Sequence, residues 1–410
     1  MVTTVIGAID MIQTLDGLPL STTTHSAASA LDVAIESYLA SRADTPRIVK
    51  QILETDPDNL MARCLMGYLL KLAGDRRNGQ RAAEMQRQLS KDVEDGCGTA
   101  WERSHVTALG VWVAEDLETL MRHFESMLNT YPHDALSLRM LHYLYFYQGD
   151  GQKMRDSLRA RLSAYAGHRL EGYIEGMYAF GLEEAGDYVE AERYGRVAVE
   201  RNPKDLWAIH AVAHVMQMQG RIDEGVRWLQ GTRLQWAGGN NFRFHLCWHE
   251  SLYHLAAGNL EQVLSIYDTE IAPPVEDDFY LDLCNASSLL LRLEAAGSDV
   301  GERWQPLAEI AERHVEDAEL VFASLHYLMP LLKTRSKAAD VLLATLSGWA
   351  STDTTQGRVV RDVALDVAAF LDARSKGERA RAAALHQAFR DDLYRIGGSH
   401  AQRELFDLIA

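Results

Sequence analysis

The stretch "NPKDLWAIHAVAHVMQMQGR", residues 202–221, reads as a helix that begins after a proline and ends at a glycine, with two histidines one turn apart. Two other stretches align with it without gaps: "DPDNLMARCLMGYLLKLAGD" from residue 56 and "YPHDALSLRMLHYLYFYQGD" from residue 131. Pro57, Pro132 and Pro203 fall in register, as do Gly74, Gly149 and Gly220. Proline suits a first helical turn, where its missing N–H is not needed, and glycine suits the left-handed residue that ends a helix. The three stretches therefore predict three copies of one helix.

The segments after the glycines are patterned too. In "GDYVEAERYGRVAVERNP", after Ala185, the residues Tyr188, Ala191, Tyr194 and Ala198 mark a second helix running back to the next proline. Gly186 and Gly220 are 34 residues apart (220 − 186), the tetratricopeptide period, and small residues such as Ala179 and Ala213 suit close helix approach. "WERSHVTALGVWVAEDLETLMRHFESMLNTYP" keeps the pattern with Ala114-Glu115-Asp116 in place of the glycine turn, and "FRFHLCWHESLYHLAAGNLEQVLSIYDTEI" repeats it around Gly258. Alternating β-branched runs are absent. The fold class expected is all-α, a tetratricopeptide-like superhelix: a lead-in over 1–44, repeats over 45–350 and a helical cap over 351–410, in one continuous domain.

Composition narrows the partners. With 58 acidic and 41 basic residues the net charge is −17, which repels nucleic acid and anionic lipid. No apolar run reaches membrane-spanning length, and "MVTTVIGAIDMIQTLDG" lacks the basic start and long apolar core of a signal peptide, so a cytoplasmic location is expected. Cys64, Cys97, Cys247 and Cys284 are widely spaced in apolar helical surroundings and read as reduced, buried thiols. Neither a phosphate-binding glycine loop, a GxSxG elbow, an HExxH pair nor a Rossmann fingerprint occurs, so no nucleotide or flavin is indicated.

"GLPLSTTTHSAASALDVAIESYLA", "HAVAHVMQMQGRIDEGVRWL", "HLCWHESLYHLAAGNLEQVLSIYD" and "RIGGSHAQRELFDLIA", in that order, resemble the tetratricopeptide repeat protein 38 family over nearly the whole chain. The resemblance implies a superhelix of tetratricopeptide-like units. It implies no particular reaction.

At the positions of His210 and His214 the two aligned stretches carry Cys64 with Tyr68 and Arg139 with Tyr143, so histidine is specific to this unit. These positions resemble those that line the concave groove of such repeats. A second pair, His245 and His249, lies 35 residues on (245 − 210), with three extra residues before the next turn glycine. That offset rotates the second pair by about 60° from the first, so both pairs can face one cavity. Imidazoles at i and i+4 reach one ion, and two such pairs complete a shell for a divalent metal such as zinc. Without metal, the same four could act as acid–base groups on a substrate, or simply pack with hydrogen-bonded neighbours.

Further candidates surround them. Trp207, Trp236, Asn240, Asn241, Glu250 and Tyr253 suit a small polar ligand, with Trp248 read as core and His254, His142 and His326 as lesser polar neighbours. The Gly238-Gly239 step of "WAGGNN" would let backbone approach a ligand closely. In "RIGGSHAQRELF", Ser399 caps a last helix that offers His400 and Arg403, expected to reach the pocket. Two functions compete on this reading: a His-rich concave pocket for a small molecule, with catalysis there, and a scaffold that binds a peptide in the groove.

Overall fold

The aligned glycines stop helices. In the computed structural model, which describes residues 12–410, Gly74, Gly149 and Gly220 have φ of +70°, +66° and +66°. They cap the helices Leu60–Leu72, Ala135–Tyr147 and Leu206–Met218. At the last of these, Gly220 donates to the Gln217 carbonyl and Arg221 to that of Met216, which satisfies carbonyls a helix end leaves bare. Where the glycine is missing, Glu115 takes its place at φ +59°.

Helix starts are set differently from the expectation. Pro57, Pro132 and Pro203 lie in the turn before the helix, and the capping residues are Asn59, Asp134 and Asp205, two positions later. Each accepts backbone N–H bonds from the first turn, a task no proline side chain can perform.

Helices pair in antiparallel fashion along the chain, as in Glu171–Glu184 with Tyr188–Arg201, Leu206–Met218 with Ile222–Thr232, and Phe242–Ala256 with Leu260–Ile266. Pairing begins with His25–Leu39 and Thr45–Thr55 and continues to Leu365–Ser375 and Arg379–Phe389, after which the single helix His400–Leu408 closes the chain. The first eleven residues of the expected lead-in lie outside the described residues. Among the described residues the only β-structure is two isolated bridges, and no helix is long and apolar enough to cross a membrane. The architecture is all-α, with tetratricopeptide-like paired helices. Cys64, Cys247 and Cys284 are buried free thiols as expected, whereas Cys97 is exposed in the turn after Arg76–Glu94.

The superhelix coils until its turns touch. Lys71 pairs with Glu319, the Arg76 N–H donates to Asp317 at 3.1 Å, the Thr355 N–H donates to the Glu115 carbonyl, and Arg358 meets Glu118 at 3.0 Å. On the other side Arg42 and Gly239 form a bridge, with the Asn240 N–H donating to the Ser41 carbonyl. The concave groove becomes a cavity. Two apolar cores flank it, one with members from Leu18 to Val215 and the other from Leu206 to Ile409, and the Leu206–Met218 helix belongs to both.

Gly220 tests the turn chemistry cleanly, because a Cβ there would meet nothing within 4 Å. Gly220→Ala should therefore cost only the left-handed backbone penalty, about 1–2 kcal/mol. Glu115→Gly should move the urea midpoint the opposite way; equal midpoints for all three proteins would show that these turns are not under that constraint.

Candidate functional site

Every residue from Leu206 to Met216 is buried. Trp207, Ala211 and Val215 join the N-terminal core, while Ile209, Val212, Ala213 and Met216 join the C-terminal one. His210 and His214 emerge between these faces, toward the Phe242–Ala256 helix and its His245 and His249. The rings converge: centroids are 4.3 Å apart for His210–His214, 4.4 Å for His214–His249, 4.7 Å for His245–His249 and 5.0 Å for His210–His245. One nitrogen from each of the four lies within 4.8 Å of the others.

Neighbouring amide side chains orient two of the rings. His245 Nδ1 is 2.8 Å from Asn285 Oδ1 and His249 Nδ1 is 2.7 Å from Gln217 Oε1. A carbonyl oxygen only accepts, so both Nδ1 atoms donate and each Nε2 carries a lone pair. His214 Nδ1 lies 3.4 Å from Glu183 Oε2. His210 and His214 have no hydrogen-bond partner at either nitrogen, and Nε2 of His249 also has none. Trp248 stacks flat on His245 at 5.1 Å. Burial pushes His214 down to about 4 and His245 to about 3, and holds His210 and His249 well below the usual imidazole range. All four are neutral at physiological pH, with lone pairs available to an ion or a donor.

Two of them reach the cavity. Its volume is about 400 Å³, and His210 and His245 line it together with Tyr143, Tyr147, Trp207, Phe242 and Tyr280 on the aromatic side. Arg42, Asn240, Asn241, Ser399 and Gln402 supply polar lining. Trp207 is held by its Nε1–H donating to His142 Nε2 at 3.1 Å and by the buried Arg139 guanidinium 4.1 Å from its ring centroid. Asn241 donates to Asp282, whose carboxyl burial pushes up to about 7. Sequence reasoning missed the wall from Tyr143 to Tyr280 and Arg42, because those residues meet only through superhelix closure; among the sequence candidates, Trp207, Asn240 and Asn241 do border the cavity.

Other candidates lie elsewhere. Trp236 is buried in the C-terminal core with its Nε1–H on Thr232 and Arg233 over its ring, Glu250 pairs with Arg233 at 3.4 Å, and the Tyr253 hydroxyl donates to the Ala213 carbonyl. All three serve helix packing behind the cavity wall. Gly238 and Gly239 approach the chain's own Ser41–Ala43 backbone rather than a ligand, and a Cβ on Gly238 would run into Arg42. The last helix does turn inward, but it presents Ser399 and Gln402 to the cavity. His400 and Arg403 instead line a separate polar groove of about 680 Å³, where both face Glu184 at 3.1 and 3.8 Å. Adjacent residues on a helix are turned about 100° from each other, so with Ser399 and Gln402 facing the cavity, His400 and Arg403 face away from it. His326 bonds the Phe322 carbonyl of its own helix, and His142 supports Trp207 from behind.

The depressed imidazoles make stability pH-dependent. Between their folded values and the unfolded value near 6.5 the unfolded chain binds more protons, so their contribution is complete above about pH 6.5 and is lost as pH falls toward 4 and 3. Each should remove about 1.4 kcal/mol per pH unit in that window. Urea midpoints of metal-free protein should fall from pH 6.5 to pH 5, less steeply for His245→Gln; parallel profiles would contradict the assignment.

No family model matches the chain. Among solved structures, a Rap protein complexed with competence and sporulation factor is similar at a TM-score of 0.48 and 14% identity, over 88% of this chain and 100% of that one. The structure of Naa15/Naa10 bound to HypK-THB is similar at 0.28 and 12%, over 89% of this chain and 63% of that one. At these distances the fold rests on the helix pairs themselves, and function on the site.

Proposed function

We propose that this protein is a tetratricopeptide-like binding protein whose concave cavity takes a small polar molecule with a flat apolar part. The observation that supports the reading is the lining: the meeting of distant superhelix turns gathers aromatic and polar side chains around about 400 Å³, within the range of small-molecule sites. Aromatic rings of Tyr143, Trp207 and Phe242 would hold the flat part, and Asn240, Asn241 and Arg42 the polar groups. His210 and His245 would contact the ligand at the floor. Their depressed basicity argues against general-base catalysis near pH 7, which works best with a pKa close to ambient. The resemblance to the tetratricopeptide repeat protein 38 family is consistent with the repeat fold and implies no particular reaction.

The second reading is a scaffold for a peptide. It is favoured by the paired-helix architecture, whose concave face is built for extended segments, and by the Arg42–Asn240–Asn241 group, which suits a peptide carboxylate.

Equilibrium dialysis against a metabolite mixture, read by mass spectrometry, separates the two. Wild type should retain a small molecule; Leu69→Trp, which fills the cavity from its wall, should abolish retention without loss of helical signal. Retention unchanged by Leu69→Trp, or binding confined to extended peptides, overturns the small-molecule reading.

A further inference from the structure

Four imidazoles from two adjacent helices meet in a buried cluster where an apolar repeat would place leucine or alanine. Leaving such groups without partners is costly, because each forfeits its bonds to water and gains none in return. Here His210 and His214 leave both ring nitrogens unpartnered and His249 leaves Nε2 unpartnered, all buried. Among the described residues, no carboxylate or amide is hydrogen-bonded to these inward nitrogens. The partners present are both on the outside, Asn285 at Nδ1 of His245 and Gln217 at Nδ1 of His249, while Glu183 Oε2 approaches His214 Nδ1 to 3.4 Å without a hydrogen bond. His245 and His249 are thus held as metal-bound imidazoles are, with one nitrogen donating outward and the other nitrogen's lone pair turned in.

We propose that His210, His214, His245 and His249 bind one transition-metal dication of the zinc class through their inward nitrogens. The donor set selects the ion. Four neutral imidazoles suit zinc, cobalt, nickel or copper and offer nothing to calcium or magnesium, which take oxygen ligands. Bond lengths of about 2.0–2.1 Å imply ligand nitrogens about 3.3–3.4 Å apart in a tetrahedral shell. The present nitrogens, within 4.8 Å of one another, need only side-chain adjustments to close in. Glu183, wholly buried with Oε2 3.4 Å from His214 Nδ1, is placed to meet that ring's outer nitrogen once His214 turns a lone pair to the ion. The only edge of the tetrahedron bordering the cavity is His210–His245, so an additional ligand to the ion would enter from there. This site goes beyond the proposed cavity function and does not depend on which molecule the cavity binds.

The test uses untagged full-length protein, stripped with chelator and titrated with Zn²⁺ and Co²⁺. One equivalent of Zn²⁺ per chain should bind, raise the thermal midpoint, and give an X-ray absorption spectrum with the multiple-scattering signature of about four imidazoles. His214→Ala and His249→Ala should abolish binding, and Glu183→Gln should weaken it about 10–100-fold while circular dichroism stays helical. The wild-type spectrum decides the matter even where a variant fails to fold. A shell dominated by carboxylate oxygen or cysteine sulfur, or no saturable uptake at all, overturns the proposal. Because metal is added without any cavity ligand, and the dialysis experiment can be run on stripped protein, failure of one leaves the other standing.

Discussion

The structure depends on burying the Leu206–Met218 helix on every side from Leu206 to Met216. Most repeat helices give one face to a core and another to a groove, but this one is shared by two cores, so the polar side chains over that span cannot rely on bulk water. Its start is satisfied by Asp205 and its end by the Gly220 turn. Trp207 finds His142, and Gln217 serves His249 from the last turn. The pair of histidines remains unsatisfied, in the middle of the best-packed helix. Leucine at both positions would bury as much surface without the desolvation cost, so packing alone does not account for them.

Closure of the superhelix is the second constraint, and it rests on small residues and polar seams rather than on a large apolar interface. Gly149 packs against the Tyr394 carbonyl and Gly397 against that of Tyr147, distances only glycine allows. Lys71–Glu319 is nearly buried, whereas Arg358–Glu118 is open to solvent and contributes little on its own. Such pairs set register more than they add stability. Their consequence is geometric: residues from Tyr38 to Gln402 meet around one cavity.

The repeat is legible in the sequence because its signals are local. A left-handed glycine seventeen residues after a proline needs no knowledge of the rest of the chain, and the convergence of His210, His214, His245 and His249 comes from helical rotation plus a fixed offset. Asp205 is legible too, since an Asp or Asn two residues after each proline is a capping signal, but the proline draws the helix start toward itself. Trp236 and Tyr253 cannot be placed from spacing, which gives the face of a helix but not which neighbour covers it. Tyr280 and Arg42 are beyond reach for a stronger reason: they approach His210 only when distant turns of the superhelix close.

The three aligned helices explain how chemistry enters this fold. Positions equivalent to His210 and His214 hold Cys64 and Tyr68 in one repeat and Arg139 and Tyr143 in another, and five of these six residues are buried. In the first repeat Tyr68 bonds its neighbour His105; in the second, Arg139 bonds Tyr143 and stacks over Trp207. The backbone thus offers the same two inward slots in the three aligned units, where glycine turns keep them in phase, and the offset unit of His245 and His249 turns its pair toward them. Filling them with a thiol and a phenol makes a core, filling them with a guanidinium and a phenol supports a cavity wall, and filling two successive units with histidine makes a cluster of lone pairs. Function in such a protein is decided by which residues occupy a few fixed slots, while the repeat itself determines only that they meet.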